Sequence, residues 1–255
     1  DGYRIAMDNG ACSFMADSAQ SILYAIEAFP PIDFRDAAEN PLYGYFGIAS
    51  GGPVLWVNEA CRRYTREDLA NDNLALQCLP GKGNKGNYVV FDQAIFDRFF
   101  GKNDDAKKAF YDAIKANGGG SIYQSDSLAD LAGRFNLDAD ALKAAVDRYN
   151  ELCGEGADSD FGKAAGLMAP IETPPFYLAK LSYNYFFSVG GITTDGRHRV
   201  LDGRRNPIEG LYAIGNDGNM LYRNVYTINM PGVAFGHQVN SGREAANAVL
   251  EYLDR

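Results

Sequence analysis

The stretch GLYAIGNDGNMLYRNVYTINMPGVAFGHQVNSGREAANAVLEYL, residues 210–253, reads as a short strand, a glycine turn, an irregular loop and a long closing helix. The apolar run Leu211, Tyr212, Ala213, Ile214 ends at Gly215 and Asn216. A glycine directly after a short buried strand marks a place where the backbone turns sharply or approaches something closely. After an aromatic and polar loop, MPGVA (230–234) opens a helix whose apolar positions include Val239, Ala245, Ala248, Val249 and Tyr252. Proline and glycine at that opening leave the first N–H groups bare, so the helix start offers donors and the positive end of its dipole to an electron-rich oxygen. An ordinary strand-turn-helix closing an α/β domain has the same pattern.

Moving outward, three more stretches join this one. DGYRIAMDNGA (1–11) carries Ile5, Ala6, Met7, Ala11 and, further on, Met15 at near-helical spacing; VNEACRRY (57–64) and SVGGITTD (188–195) follow in order. With GLYAIGN (210–216) and PGVAFGHQVNSGREAA (231–246), these segments resemble the fumarate reductase and 3-ketosteroid dehydrogenase superfamily of FAD enzymes. The resemblance covers nearly the whole chain. It implies a flavin domain made of residues 1–28 and 188–255, interrupted by an α+β capping domain at 29–187. The expected fold is therefore α/β plus α+β. The flavin part is Rossmann-like and lacks its N-terminal dinucleotide half, which would lie in a missing partner segment.

Length and composition permit this. With 255 residues the chain can bury a full core, and 28 glycines suit a fold with many tight turns and close backbone approaches. The balance of 24 Lys+Arg against 33 Asp+Glu, without a basic stripe, argues against a nucleic-acid partner. No apolar run approaches the ~18 residues of a membrane span, and no signal peptide is visible. The compartment stays open, because in the resembled enzymes an export signal would lie upstream. Cys12, Cys61, Cys78 and Cys153 form no C-x-x-C pair and read as buried free thiols; two histidines, His198 and His237, are too few for a His-rich metal centre. No metal site is expected.

One glycine motif needs discounting. GKGNKG (81–86) matches G-x-G-x-x-G, but it follows Cys78, Leu79 and Pro80 and precedes a strand pattern at 88–91, so it lacks the strand before and the helix behind that a pyrophosphate requires. It is read as a loop, as is GGGS (118–121). Around these loops, helices are expected at 93–100, 106–116, 127–134 and 139–152, the last behind an Asp138 N-cap, with strands at 54–58 and 88–91. TPP (173–175) disfavours helix and marks an extended return path.

The resemblance also names a site. FAD contact is implied for Gly2, Gly190, Gly191, Gly215 and Asn216, and for Pro231, Gly232, Val233, Ala234 and Phe235 at the helix start. In ketosteroid dehydrogenases a loop tyrosine helps to polarise a carbonyl; here the corresponding loop carries Arg223, Tyr226 and Asn229. A neutral phenol is a suitable donor toward a carbonyl or enone oxygen. Tyr64 belongs to the cap block that faces the substrate in the resembled family. Arg62, Arg63 and Arg66 cluster beside it and read as a solvated cationic surface. The dicarboxylate clamps of fumarate reductases are replaced by Phe186, Phe187, Ser188, Asn229 and, in the cap, Asn71, which argues against fumarate or succinate.

Two readings of function remain open on the sequence. The first is part of an FAD-dependent oxidoreductase that transfers hydride at a carbon–carbon bond next to a carbonyl of a small molecule. This chain alone would then bind FAD weakly or not at all and be inactive, and it could dimerise through exposed apolar surface. The second is a cofactor-free binding module that keeps the fold.

Overall fold

The computed structural model describes residues 1–14, 21–28, 51–72, 76–101, 103–116, 118–187, 189–222 and 230–254. The chain forms two compact units, residues 1–22 with 185–255 and residues 23–184.

In the first unit, α1 (Gly2–Asp8) ends at Asn9 and Gly10, the latter with φ of +87°. The apolar spacing through Ala11 and Met15, the latter outside the described residues, suggests a longer helix. The left-handed glycine stops it, and the chain continues into β1 (Ser13–Phe14). β1 pairs antiparallel with β7 (Gly191–Ile192), and β8 (Arg199–Leu201) forms a ribbon with β9 (Pro207–Tyr212). Backbone bonds from Cys12 N to Leu201 O and from Leu201 N to Thr193 O tie the two pairs together. Their shared core is small: Ala6, Ala11, Ile192, Val200 and Ala213, with Met7, Ile208 and Leu211 packed against it.

The closing helix α7 (Val233–Leu253) has two distinct faces. Ser241, Ala245 and Ala248 are buried against the unit, where the Tyr212 hydroxyl donates to the Ala248 carbonyl. Phe235, Val239, Gly242, Ala246, Leu250 and Leu253 recur at intervals of three and four on another side, and there Phe235 is 71% and Leu253 70% exposed. Val239 thus lies on the open face and not with Ala245 and Ala248, with which its helical spacing had grouped it. A helix apolar on two sides is built to sit between layers.

The second unit is organised on a five-stranded sheet. β2 (Ser21–Ile26), β6 (Phe176–Phe187), β4 (Asn87–Asp92) and β3 (Leu55–Asn58) lie in that order, and β5 (Ile122–Ser125) also pairs with β6. Every residue of β4 is buried, which explains its unbroken apolar reading. The short helix α2 (Leu69–Asp72) precedes β4 and carries Asn71. Beyond it, α3 (Gln93–Phe100) starts on Asp92, whose Oδ1 accepts from Ile95 N at 2.9 Å while Oδ2 accepts from Glu172 N and Thr173 N at 2.8 Å each. The rings of Phe91, Phe96, Phe100, Phe110 and Tyr177 pack between this helix, α4 (Asp104–Ala116) and the sheet, stacked, tilted or edge-on, with centroids 4.6–5.4 Å apart in adjoining pairs. α5 (Leu128–Arg134) packs on α6 (Ala139–Glu155), whose N-cap is Asp138 as expected. All four cysteines are free; Cys61 and Cys78 are buried, whereas Cys12 and Cys153 are half-buried.

The arginine cluster differs from its sequence reading. The Arg63 side chain, 8% exposed, bonds two carboxylates at once, donating to both Glu67 oxygens at 2.9 Å and to Asp158 at 2.9 and 2.8 Å. Lys163, wholly buried, donates to Val54 O at 2.8 Å and to the Tyr149 hydroxyl at 3.0 Å, and lies 3.1 Å from Glu67. Two cations and two anions thus balance inside the unit. Arg66 pairs with Asp68 and Asp72, leaving only Arg62 of the three exposed.

A pH dependence follows from this centre. Burial alone would raise the Asp158 carboxyl, but the bond from Arg63 and then the Lys163 N–H outweigh it and bring the group down to about 2. A carboxyl held below its unfolded value of about 3.9 contributes stability above that pH and loses it as pH falls toward the folded value. Asp158→Asn is therefore expected to cost most stability near neutrality, with the gap from wild type closing toward about pH 2. Urea unfolding of both proteins across that range checks it; a gap independent of pH would contradict the assignment.

Candidate functional site

The expected glycines converge on one turn of the first unit. β9 runs out through Ala213 and Ile214 to Gly215, which has φ of +58° and so suits a residue without Cβ. Gly215 N donates to Ser241 Oγ at 3.0 Å, and Gln238 Nε2 donates to Asn216 Oδ1 at 3.2 Å, so the turn is clasped by α7. On its other side Ile192 N donates to Asp217 O at 2.6 Å. A Cβ on Gly191 would stand 2.3 Å from that same oxygen, and a Cβ on Gly2 would stand 2.4 Å from Asp217 Oδ2. Gly2, Gly191, Gly215 and Asn216 therefore meet around Asp217, a residue that sequence reading did not single out although it sits in the turn-forming NDG. A cavity of about 240 Å³ opens beside it, lined by Gly2, Ile5, Ile192, Tyr212, Ile214 and Asp217 among others. Gly190, with φ of +112°, leads into β7.

The helix start has the bare character read from MPG. α7 has no side-chain cap: Gly232, in the left-handed region at φ +85°, occupies the N-cap position. Gly236 N donates to Gly232 O at 2.8 Å, and Val233 N makes only a long 3.5 Å bond to Met230 O. The N–H groups of Ala234 and Phe235 have no bonding partner among the described residues. Among the described residues nothing lies within 4 Å of where a Cβ on Gly232 or Gly236 would be. Bare donors, a positive helix end, and Met230 and Phe235 exposed at 59% and 71% form an apolar rim around polar points. This combination fits the pyrimidine edge of an isoalloxazine ring, which presents carbonyl oxygens on a flat apolar body.

Of the residues expected to act on substrate, Tyr64 belongs to the second unit. Its hydroxyl lies 3.0 Å from that of the fully buried Tyr24, and burial pushes both phenols well above their usual range, Tyr64 despite the opposing effect of its bond with Tyr24. Tyr64 is thus held as a neutral hydroxyl. Tyr24, its partner 40 positions away, carried no sequence signal beyond its type. Arg223, Tyr226 and Asn229 lie outside the described residues, as does Ser188. No group of three His, Cys, Asp or Glu side chains able to hold a metal occurs among the described residues, and no helix there is long and apolar enough to cross a membrane.

Vinyl phenol reductase of Lactiplantibacillus plantarum is 28% identical over an alignment that takes in 99% of this chain and 53% of that protein. 3-Oxosteroid 1-dehydrogenase of Mycobacterium tuberculosis is 31% identical, with 91% of this chain and 46% of that protein covered. The chain thus spans about half the length of these relatives. Among solved structures, 3-ketosteroid delta1-dehydrogenase from Sterolibacterium denitrificans superposes with a TM-score of 0.68 at 22% identity, covering 100% of this chain and 47% of that one. The sequence profile of the FAD binding domain matches residues 14–228, and the chain belongs to that family.

Proposed function

We propose that these residues are the capping domain and the C-terminal flavin segment of an oxidoreductase that reduces or dehydrogenates a carbon–carbon bond conjugated to a carbonyl or an aromatic system. FAD, when bound, supplies or accepts the hydride. The bare N-terminus of α7 beside the Gly215 turn, in a chain of the FAD binding domain family, carries this reading. On it, the N–H groups of Ala234 and Phe235 donate to the flavin edge and stabilise negative charge arriving there. Residues 29–187 act as the cap that excludes water. Tyr226 donates to the substrate oxygen, Asn229 and Arg223 line the same side, and Tyr64 is a neutral hydroxyl offered by the cap.

The substrate is read as neutral and largely apolar. Where fumarate reductases clamp a dicarboxylate, this sequence has Phe186, Phe187, Asn229 and Asn71, none of which can replace a bidentate cation. Two of the relatives, a vinyl phenol reductase and a 3-oxosteroid dehydrogenase, are named for substrates of this kind, whereas others, a urocanate reductase among them, are named for carboxylates.

The test uses the whole protein and the variant Ala234→Glu. An acidic side chain in the first turn favours the helix through its dipole, yet here it would stand where the flavin edge is read to bind. The expected result is unchanged or improved thermal stability of the FAD-free protein together with FAD retention weakened by about tenfold or more, the loss of one charge-assisted hydrogen bond. Unchanged retention would remove the flavin from this helix end.

We infer further that the complete protein carries a dinucleotide-binding half outside these 255 residues. Two observations support it: the coverage of about half of each relative and the open apolar face of α7. No strand-glycine-helix unit for a pyrophosphate occurs among the described residues, since GKGNKG (81–86) runs into β4. FAD titrated into the 255-residue chain should accordingly bind only in the millimolar range, because the diphosphate contacts would be lacking. Saturable low-micromolar binding followed by flavin fluorescence would contradict this. Should the chain prove dimeric in solution, a second copy would be the occupant of the α7 face in place of that half.

A further inference from the structure

A groove of about 560 Å³ lies on the second unit, lined by residues 60–63, 141–152 and 160–161 and well away in sequence from the glycine turn. Its floor is the face of α6 that carries Ala141, Ala144 and Ala145; one wall is the turn bearing Cys61 and Arg62, and Phe161 stands opposite. The floor is low because alanines occupy positions where larger side chains would fill the space, and the volume falls in the range of small-molecule sites.

The walls are fixed in place. Asn58 Oδ1 accepts from Ala60 N and Arg62 N at 3.0 Å each, which closes the turn. Cys61 sits at φ +55°, and its thiol donates to the Asp138 carbonyl at 3.6 Å, tying the turn to the start of α6. On the far side, Arg148 donates to Asp160 at 2.8 and 3.1 Å, and the guanidinium carbon of Arg63 lies 5.1 Å from the centroid of the Phe161 ring. The groove is therefore preformed, with an aromatic ring 40% exposed on one edge.

Charge selects the ligand. Arg63 is consumed by Glu67 and Asp158, and Arg148 by Asp160 and Glu151. Arg62 is exposed and has no carboxylate within ion-pair distance among the described residues. In a chain of net charge −9, an uncommitted guanidinium over an apolar, aromatic-edged floor favours an anion attached to a flat apolar body. We propose that this groove binds an aromatic carboxylate, its ring on the alanine face against Phe161 and its carboxylate on Arg62.

Backbone amide NMR of the 255-residue chain tests it, with naphthalene-2-carboxylate and the neutral naphthalene-2-carboxamide as matched probes. The carboxylate should give saturable shifts at residues 60–62, 141–145 and 160–161, and bind about fivefold tighter than the amide, the scale of an exposed ion pair. Arg62→Gln should erase that preference and leave the amide affinity alone. Ala144→Trp, at an exposed position, should abolish binding of both while the remaining spectrum stays folded. No saturable shift at these residues, equal affinity for the two probes, or a preference that survives Arg62→Gln would overturn the proposal.

Discussion

Arg63→Met is expected to lower the stability of the second unit by about 3–5 kcal/mol, the cost of breaking a buried ion pair from one side. The guanidinium makes four bonds of 2.8–2.9 Å to Glu67 and Asp158, both of whose side chains are fully buried. Methionine fills much of the volume but leaves Asp158 without a cation and Glu67 with only Lys163. Uncompensated charge in the interior costs more than the lost packing, so the variant should fail even though the replacement is apolar. Chemical unfolding with probes in each unit measures it: the probe in the second unit should shift to much lower denaturant. A shift of under about 1 kcal/mol, the usual worth of a surface pair, would mean that water reaches these groups.

Tyr226→Phe should lower turnover of the complete protein about 100-fold, the usual contribution of one well-placed donor to a developing oxyanion. The ring is kept, so folding and FAD retention should hold. The loss should fall on kcat more than on KM, because the bond is read to strengthen as charge develops on the substrate oxygen. Turnover within a factor of about two of wild type would return Tyr226 to a packing role. Tyr64→Phe should have the smaller effect, since that hydroxyl is already engaged with Tyr24.

Local rules made much of this molecule readable in advance. The helix expected at 93–100 has those bounds, and Asp138 caps α6 through Ala141 N as an Asp before an apolar period should. GKGNKG was set aside on its context, and β4 indeed follows it. What escaped was everything decided by distant partners. The central strand β6 has twelve residues of mixed polarity, and its neighbours β4, β5 and β2 come from three separate places in the chain. Arg63 looked like one of three surface cations because its partner Asp158 is 95 positions away. Within the site, Gly215 is legible from its place behind a short strand, and Gly2, Gly190 and Gly191 only through the family resemblance, whereas Asp217, which Gly2 and Gly191 approach, is an ordinary turn residue until the fold assembles around it. Tyr24 was silent for the same reason.

The chain passes between its two units only twice, once within β2 and once within β6, and these two strands are neighbours in one sheet. The ends of the middle unit, at Leu23 and Asn184, therefore leave it along a single two-stranded ribbon. Substitutions in β2 or β6 should therefore be felt twice, in the stability of the sheet and in the path by which the chain leaves it.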